Sequence, residues 1–239
     1  MLEIRPAESE EDIAAFLSIR GAVDPDFPMT REAFDAERTT PGRLDVLALL
    51  DGEPAGGAFV ERQYGDPTST TAGVSVRVLE PFRRRGIGSK LLERVARHAK
   101  GFGGVEMYAV ARTEAVDLIA FYSAHGFTEV GRMQDVTLST ADVDLVADAP
   151  PGIEIVVLAD REELEVGMYA VAQQAEADVP AARPAEAAPF PYWRRRYLGP
   201  LETLRTQNDL ANTAMRRVND KLGYRPRLEW VHVAGPIAV

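Results

Sequence analysis

EPFRRRGIGSKLLERVARHAK, residues 80–100, decides how this chain is read. Arg83, Arg84 and Arg85 run into Gly86-Ile87-Gly88. Beyond them Ile87, Leu91, Leu92, Val95 and His98 or Ala99 recur at helical spacing. The preceding stretch TSTTAGVSVRVLEP is rich in β-branched residues and reads as a strand. A strand that turns through glycine into a helix leaves several backbone N–H groups unbonded at the helix start. The positive end of the helix dipole lies behind them, which suits a phosphate or pyrophosphate. Gly86 and Gly88 let the backbone approach an anion without a Cβ in the way, and the arginines add charge and forked donors. A P-loop is excluded because Gly88-Ser89-Lys90 reverses the order that motif needs. The Rossmann spacing lacks its third glycine. On these residues alone, an anion-binding turn and a plain helix start with a basic flank both stand.

Composition narrows the classes. The chain has 239 residues, 46% hydrophobic and 27% charged, enough for one large domain or two ordinary ones. A net charge of -10 and a pI near 4.9 argue against a general nucleic-acid binder. The absence of cysteine excludes disulfides, zinc-thiolate sites and cysteine nucleophiles. His98, His125 and His232 are scattered without metal-ligand spacing, so no metal is expected. The polar start MLEIRPAESEED has no signal-peptide core and no stretch has transmembrane length, so a soluble cytoplasmic protein with no membrane partner is expected.

Working outward, LEIRPA predicts a strand and SEEDIAAFLSIRGAV a helix capped by Ser9, with acidic residues in its first turn. Thr30 is placed to cap a short helix REAFDAER, and RLDVLALLDGEPAGGAFVERQ reads as two strands about the turn Asp51-Gly52-Glu53. After the arginine-glycine helix, GFGG is a stop and VEMYAVA a compact strand. EAVDLIAFYSAHGF is a helix ended by Gly126, and FTEVGRMQDVTLS forms one strand or two. The acidic, then proline-rich ADVDLVADAPPG, residues 141–152, reads as a linker that divides the chain into 1–147 and 148–239. GIEIVVL and ADREELEVGMYAVAQQAEADV then repeat the strand-helix opening. LETLRTQNDLANTAMRRVNDKLGYRPRLEWVHV repeats the end of the first half, setting Gly223-Tyr224 on Gly126-Phe127, Asn219 on Tyr122 and Asn212 on Ala115. This second copy lacks the middle strands and the arginine-glycine turn, with a seam near 199–201.

VRVLEPFRRRGIGSKLL resembles the acyl-CoA motif of the GNAT superfamily of N-acetyltransferases, an Arg/Gln-x-x-Gly-x-Gly/Ala turn after the fourth strand. Arg83, Gly86 and Gly88 occupy its defining positions, Val76 and Val78 its strand, and AFYSAHGF the helix end expected later in the chain. The resemblance covers about residues 1 to 140 and implies an α+β GNAT fold, a mixed and mostly antiparallel sheet flanked by helices, with a partial repeat at the C-terminus. It also implies acetyl-CoA as co-substrate. Amides and side chains at Arg84, Arg85, Gly86, Ile87, Gly88 and Ser89 would hold the pyrophosphate, and splayed strands would admit the pantetheine arm. Tyr122 stands where many members carry the tyrosine that protonates the departing thiolate. The family's asparagine a turn or two earlier is replaced by Ala115.

The resemblance thus implies direct acetyl transfer to a primary amine of a small molecule or peptide, with the N-terminal copy active. The alternative is a non-catalytic acyl-CoA-binding or regulatory module. For the base that deprotonates the acceptor, Glu61, Asp24, Asp26 and a water chain are candidates; Glu80 is as well explained as a solvated turn residue. His125 suits a helix-end cation and His98 the edge of its helix. The second copy, with Asn219 for tyrosine and no turn, is expected to cover the first domain, shape the cleft or form a homodimer. The arginine-aromatic stretch PYWRRRYLGP reads as an amphipathic helix with a solvated face, so no nucleic-acid partner is expected.

Overall fold

The computed structural model describes residues 1–139, 151–152, 156, 161–177 and 203–237. The expected division at 147 and 148, the seam near 199–201, PYWRRRYLGP and most of GIEIVVL lie outside them. Among the described residues, contacts separate two compact units: Met1–Met133 with Glu229–Val239, and Gln134–Leu228.

The first unit begins β1 (Leu2–Pro6), α1 (Glu10–Val23), α2 (Arg31–Glu37), β2 (Leu44–Leu50), β3 (Glu53–Arg62) and β4 (Thr71–Val78). It continues with α3 (Ile87–Gly101), β5 (Glu106–Arg112) and α4 (Val116–Ala124). Local chemistry sets these bounds. The Ser9 hydroxyl accepts from the Asp12 amide at 3.1 Å, and Thr30 accepts from Ala33 at 3.1 Å, so both expected caps form. Asp51 and Gly52, at φ +54 and +86, make the tight turn between β2 and β3.

Strands β1 to β4 are successively antiparallel. β4 and β5 are parallel, but they pair only at Thr71–Gly73 with Glu106–Tyr108. Beyond those residues the two strands part. On its other side β5 is paired along its whole length with the chain's last strand, β8 (Arg225–Pro236), from Glu106 opposite Pro236 to Arg112 opposite Trp230. A mixed, largely antiparallel sheet results, with apolar packing on both faces. Leu91, Val95, Val76 and Met107 belong to one buried cluster, and Phe16, Phe34, Ile13 and Leu47 to the other. On α3 the buried residues are those the spacing predicts, joined by Ala96, with Ala99 inside and His98 at the margin.

The first unit is therefore completed by residues more than a hundred positions beyond β5. A Cβ added at Gly235 would lie 2.7 Å from the Phe127 ring and 2.8 Å from its Cα. Gly235→Ala is expected to lose about 1–3 kcal/mol of stability by overpacking, read from urea midpoints. Gly131→Ala, where a Cβ meets nothing within 4 Å, is the matched control.

The second unit holds α5 (Glu165–Ala177), β7 (Thr203–Asp209) and α6 (Thr213–Leu222); β6 (Thr128–Ser139), a single strand, and β8 contribute residues to both units. Equivalent details recur at the ends of α4 and α6. Gly126 and Gly223 are left-handed, at φ +84 and +87. Phe127 N donates to Tyr122 O at 3.1 Å, and Tyr224 N donates to Asn219 O at 3.0 Å. These are matching helix-end bonds, and they place Asn219 where the first copy has Tyr122. Asn212 caps α6 by accepting from the Met215 amide at 3.1 Å, whereas Ala115 occupies the N-cap of α4 without a side-chain bond.

Candidate active site

The arginine-glycine turn leaves β4 through one turn of 3-10 helix, Glu80–Phe82. Arg84 then adopts φ +61 and Gly86 φ +78 before α3 begins. Two left-handed residues within three positions fold the chain back so that the helix start faces outward. Gly86 is the N-cap and offers no side-chain bond, and the first ladder bond runs from Lys90 N to Gly86 O at 3.1 Å. The amides of Ile87, Gly88 and Ser89 precede that ladder. No acidic residue occupies the first turn of α3, whereas α1 carries Glu10, Glu11 and Asp12 there. No carboxylate of its own first turn offsets the dipole of α3, and exposed Arg84 and Arg85 lie alongside. This is a cradle that a pyrophosphate fits.

The neighbouring side chains have distinct tasks. Arg83 Nε donates to Val78 O at 3.1 Å, tying the turn back to its strand, and the Arg85 guanidinium lies 5.9 Å from the Phe82 ring centroid. Ile87 is buried beneath the turn. Gly88 also serves a packing contact. A Cβ there would meet the Phe121 ring at 3.2 Å, so this glycine lets α3 approach α4. His125 at the end of α4 joins the same junction. Its Nδ1 lies 2.7 Å from Phe121 O, and since a carbonyl only accepts, Nδ1 carries the proton. Its Nε2 meets Ser89 Oγ at 3.0 Å.

Tyr122 sits on α4 with 1% exposure, between the rings of Phe121 and Phe127. Its phenol is pushed up to about 12, chiefly by burial. Arg77 and a hydrogen bond from the Val76 backbone pull the other way, and Asp24 adds to the rise. Val76 lies beyond Gly73, the last residue of β4 paired with β5. The phenol therefore stands where the two strands have parted. It packs as a core aromatic does, and its one polar atom is held at the opening.

The base candidates separate. Glu61 belongs to a buried network: Arg43, 2% exposed, reaches Glu61 at 2.7 Å and Asp45 at 2.7 Å. Burial raises Glu61 above the usual carboxylate range, and attraction to Arg43 opposes the rise. Glu80 is exposed on the turn, and His98 Nε2 meets Gly42 O at 3.2 Å, toward the far end of α3. Asp24 and Asp26 lie at the parted strands instead. Asp24 accepts from Arg77 Nε at 2.6 Å, and Asp26 lies 2.7 Å from Arg112. Arg77 and Arg112 were not singled out by sequence. An arginine at the C-terminal end of each strand, the last but one residue of β4 and the last of β5, was the available signal, since a partly buried charge there needs a partner.

The acetyltransferase (GNAT) family pattern matches residues 8–127. Glucosamine 6-phosphate N-acetyltransferase 1 of Oryza sativa subsp. japonica is 30% identical over 136 residues, 53% of this chain and 81% of the relative. Mycothiol acetyltransferase of Nocardiopsis dassonvillei is 37% identical over 106 residues, 44% of this chain but only 29% of the relative. A tandem GNAT protein from the clavulanic acid biosynthesis pathway, solved without AcCoA, superposes with a TM-score of 0.66 at 17% identity. That similarity covers 100% of this chain and 99% of the other, and at this identity it shows a shared fold. With the family pattern and a relative covered over most of its length joining the split sheet and the uncapped turn, the chain belongs to the acetyltransferase (GNAT) family.

Proposed function

We propose that the first unit transfers the acetyl group of acetyl-CoA directly to a primary amine. One observation carries this: an uncapped helix N-terminus with two arginines stands at the end of a strand that parts from its neighbour, with a buried phenol at the parting. Acetyl-CoA, when bound, supplies a thioester whose carbonyl carbon is open to attack. The amides of Ile87, Gly88 and Ser89, with Arg84 and Arg85, hold its pyrophosphate. The facing edges of β4 and β5, unpaired beyond Gly73 and Tyr108, offer backbone groups to the amides of an extended arm. The acceptor nitrogen forms the new C–N bond as the C–S bond breaks. Tyr122 gives its phenolic proton to the departing sulfur and is reprotonated from solvent, while the nitrogen loses its own proton to water. Asp24 and Asp26 lie on the side from which the amine approaches.

Calorimetric titration with acetyl-CoA, followed by turnover over a panel of amines, tests this reading. Absence of binding overturns the cradle. Binding without turnover leaves an acyl-CoA-binding module, a reading that Ala115 favours because it gives α4 no side-chain cap.

A further inference from the structure

The last paired residues of β4 and β5 fix the level of everything beyond them. Thr71 pairs with Glu106, Ala72 with Met107 and Gly73 with Tyr108. Carried along both strands, that register sets Arg77 level with Arg112, on the same face of the sheet and on opposite walls of the opening. One short segment after α1 reaches both. Asp24, the C-cap of α1, takes Arg77 Nε, and Asp26 stands 2.7 Å from Arg112 Nη2. A turn closed by Phe27 N donating to Asp24 O at 3.0 Å holds the two carboxylates in this order.

Each carboxylate leaves one buried nitrogen of its arginine without a hydrogen bond. Arg77 Nη1 is buried with no hydrogen-bond partner among the described residues. Arg112 is ion-paired, Nη2 with Asp26 at 2.7 Å and Nη1 with Glu114 at 3.7 Å, but the buried Nη2 makes no aligned hydrogen bond among the described residues. Trp230, opposite Arg112 on β8 and 5.3 Å from the Phe27 ring, has an indole N–H in the same condition. Arg20, on the last turn of α1, adds a further unpartnered guanidinium nitrogen and repels Arg77. Buried donors without acceptors are costly. Those of Arg77, Arg112 and Trp230, all able only to donate, belong to residues at one level of the sheet beside the opening, and two carry positive charge.

We infer that this donor set receives an anionic group on the acceptor, so that the preferred substrates are amines carrying a carboxylate or phosphate, with Arg77 and Arg112 as the specificity-determining pair. A guanidinium offers the planar fork that either anion takes in two hydrogen bonds. The inference rests on the acetyl-transfer reading for its substrate, though anion binding can be measured without turnover.

The test compares amines matched except for one charge: glucosamine 6-phosphate against glucosamine, and amino acids against their carboxamides. The anionic member of at least one pair is expected to be favoured by about tenfold or more in kcat/KM. Which pair responds tells phosphate from carboxylate. Arg112→Gln is expected to cut kcat/KM on the anionic member by about 10- to 100-fold, at least about tenfold more than on the neutral member, and to be partly rescued by Arg112→Lys. Equal use of both members in every pair, or an equal loss on both in Arg112→Gln, overturns it. In parallel, the indole N–H resonance of Trp230, assigned with Trp230→Phe, is followed during titration with the same compounds. A shift with the anionic members only, and no acetylation of any amine, defeats the transfer reading and sustains this one. An indole signal that ignores charge, with no anionic preference in turnover, defeats this one alone.

Discussion

Tyr122→Phe is expected to lower kcat about 100-fold or more, as loss of a positioned general acid does, while the acetyl-CoA Kd moves less than about threefold, well under the worth of one hydrogen bond to a charged group. The substitution keeps the ring that fills the space between Phe121 and Phe127, and removes only the hydroxyl at Val76. Pre-steady-state acetyl transfer and acetyl-CoA titration measured on the same variant separate chemistry from binding. The phenol's direction of shift fixes the pH behaviour. An acid raised to about 12 keeps its proton throughout the neutral range, so Tyr122 imposes no falling limb on kcat between pH 6 and 9. A thiol ordinarily ionises near 8.5, so outright transfer from such a phenol to a solvated thiolate is uphill by about 3.5 pKa units. Two features narrow the gap. The departing sulfur is desolvated in the same opening, which raises its basicity, and Arg77 pulls the phenol down.

The same shift bears on stability. A folded value near 12 against about 10 in the unfolded chain favours the neutral phenol in the native state. That contribution is fully present below pH 10 and is lost as pH rises through 10 toward 12, amounting to about 2–3 kcal/mol. Urea midpoints at pH 8 and pH 11 should therefore fall further for the parent chain than for Tyr122→Phe. An equal fall in both would remove Tyr122 from the buried position described.

Much of this was legible in the sequence because it depends on local chemistry. Ser9 and Thr30 cap helices through bonds that span three residues, and the apolar spacing of α3 records which face meets the sheet. Gly126 and Gly223 mark helix ends through their own conformation. What was not legible depends on partners far apart in the chain. That the strands splay was expected only through the family resemblance, and nothing in the spacing of VRVLEPF says that β4 leaves β5 after Gly73, because the strands part through the path of the whole sheet. Arg77 and Arg112 were passed over because their meaning comes from Asp24 and Asp26, which arrive from the segment after α1. Strand β8 carries an ordinary alternating pattern that suits many edges. Its place beside β5 follows from register and from the close fit of Gly235 on Phe127. Gly88 shows the finer limit: the glycine was evident, but its packing contact lies in the Phe121 ring on another helix.

Gly86→Val is expected to weaken acetyl-CoA binding by up to about 100-fold, because a β-branched residue held at a left-handed φ costs about 1–3 kcal/mol. The cause is conformational rather than steric, since a Cβ at Gly86 meets nothing within 4 Å. The strain can be relieved only by rotating φ away from +78, and that rotation re-aims the amides of Ile87, Gly88 and Ser89. Those amides work as a set, so a turn that is still folded but differently directed loses the anion. Gly88→Ala supplies the contrast. Its φ is ordinary, and its Cβ presses on Phe121 at 3.2 Å, so it should loosen the α3–α4 junction and lower the melting temperature more than it weakens binding. Titration with acetyl-CoA and with desulfo-CoA, which keeps the pyrophosphate but lacks the thioester, reads the cradle apart from the reacting end. Gly86→Val should weaken both ligands equally and leave the melting temperature within a few degrees of the parent. If Gly86→Val binds both as the parent does, the helix start does not hold the pyrophosphate. Exposed Arg84 and Arg85 alone would then have to hold it, and affinity would fall steeply with salt, as it does for charges that remain in water.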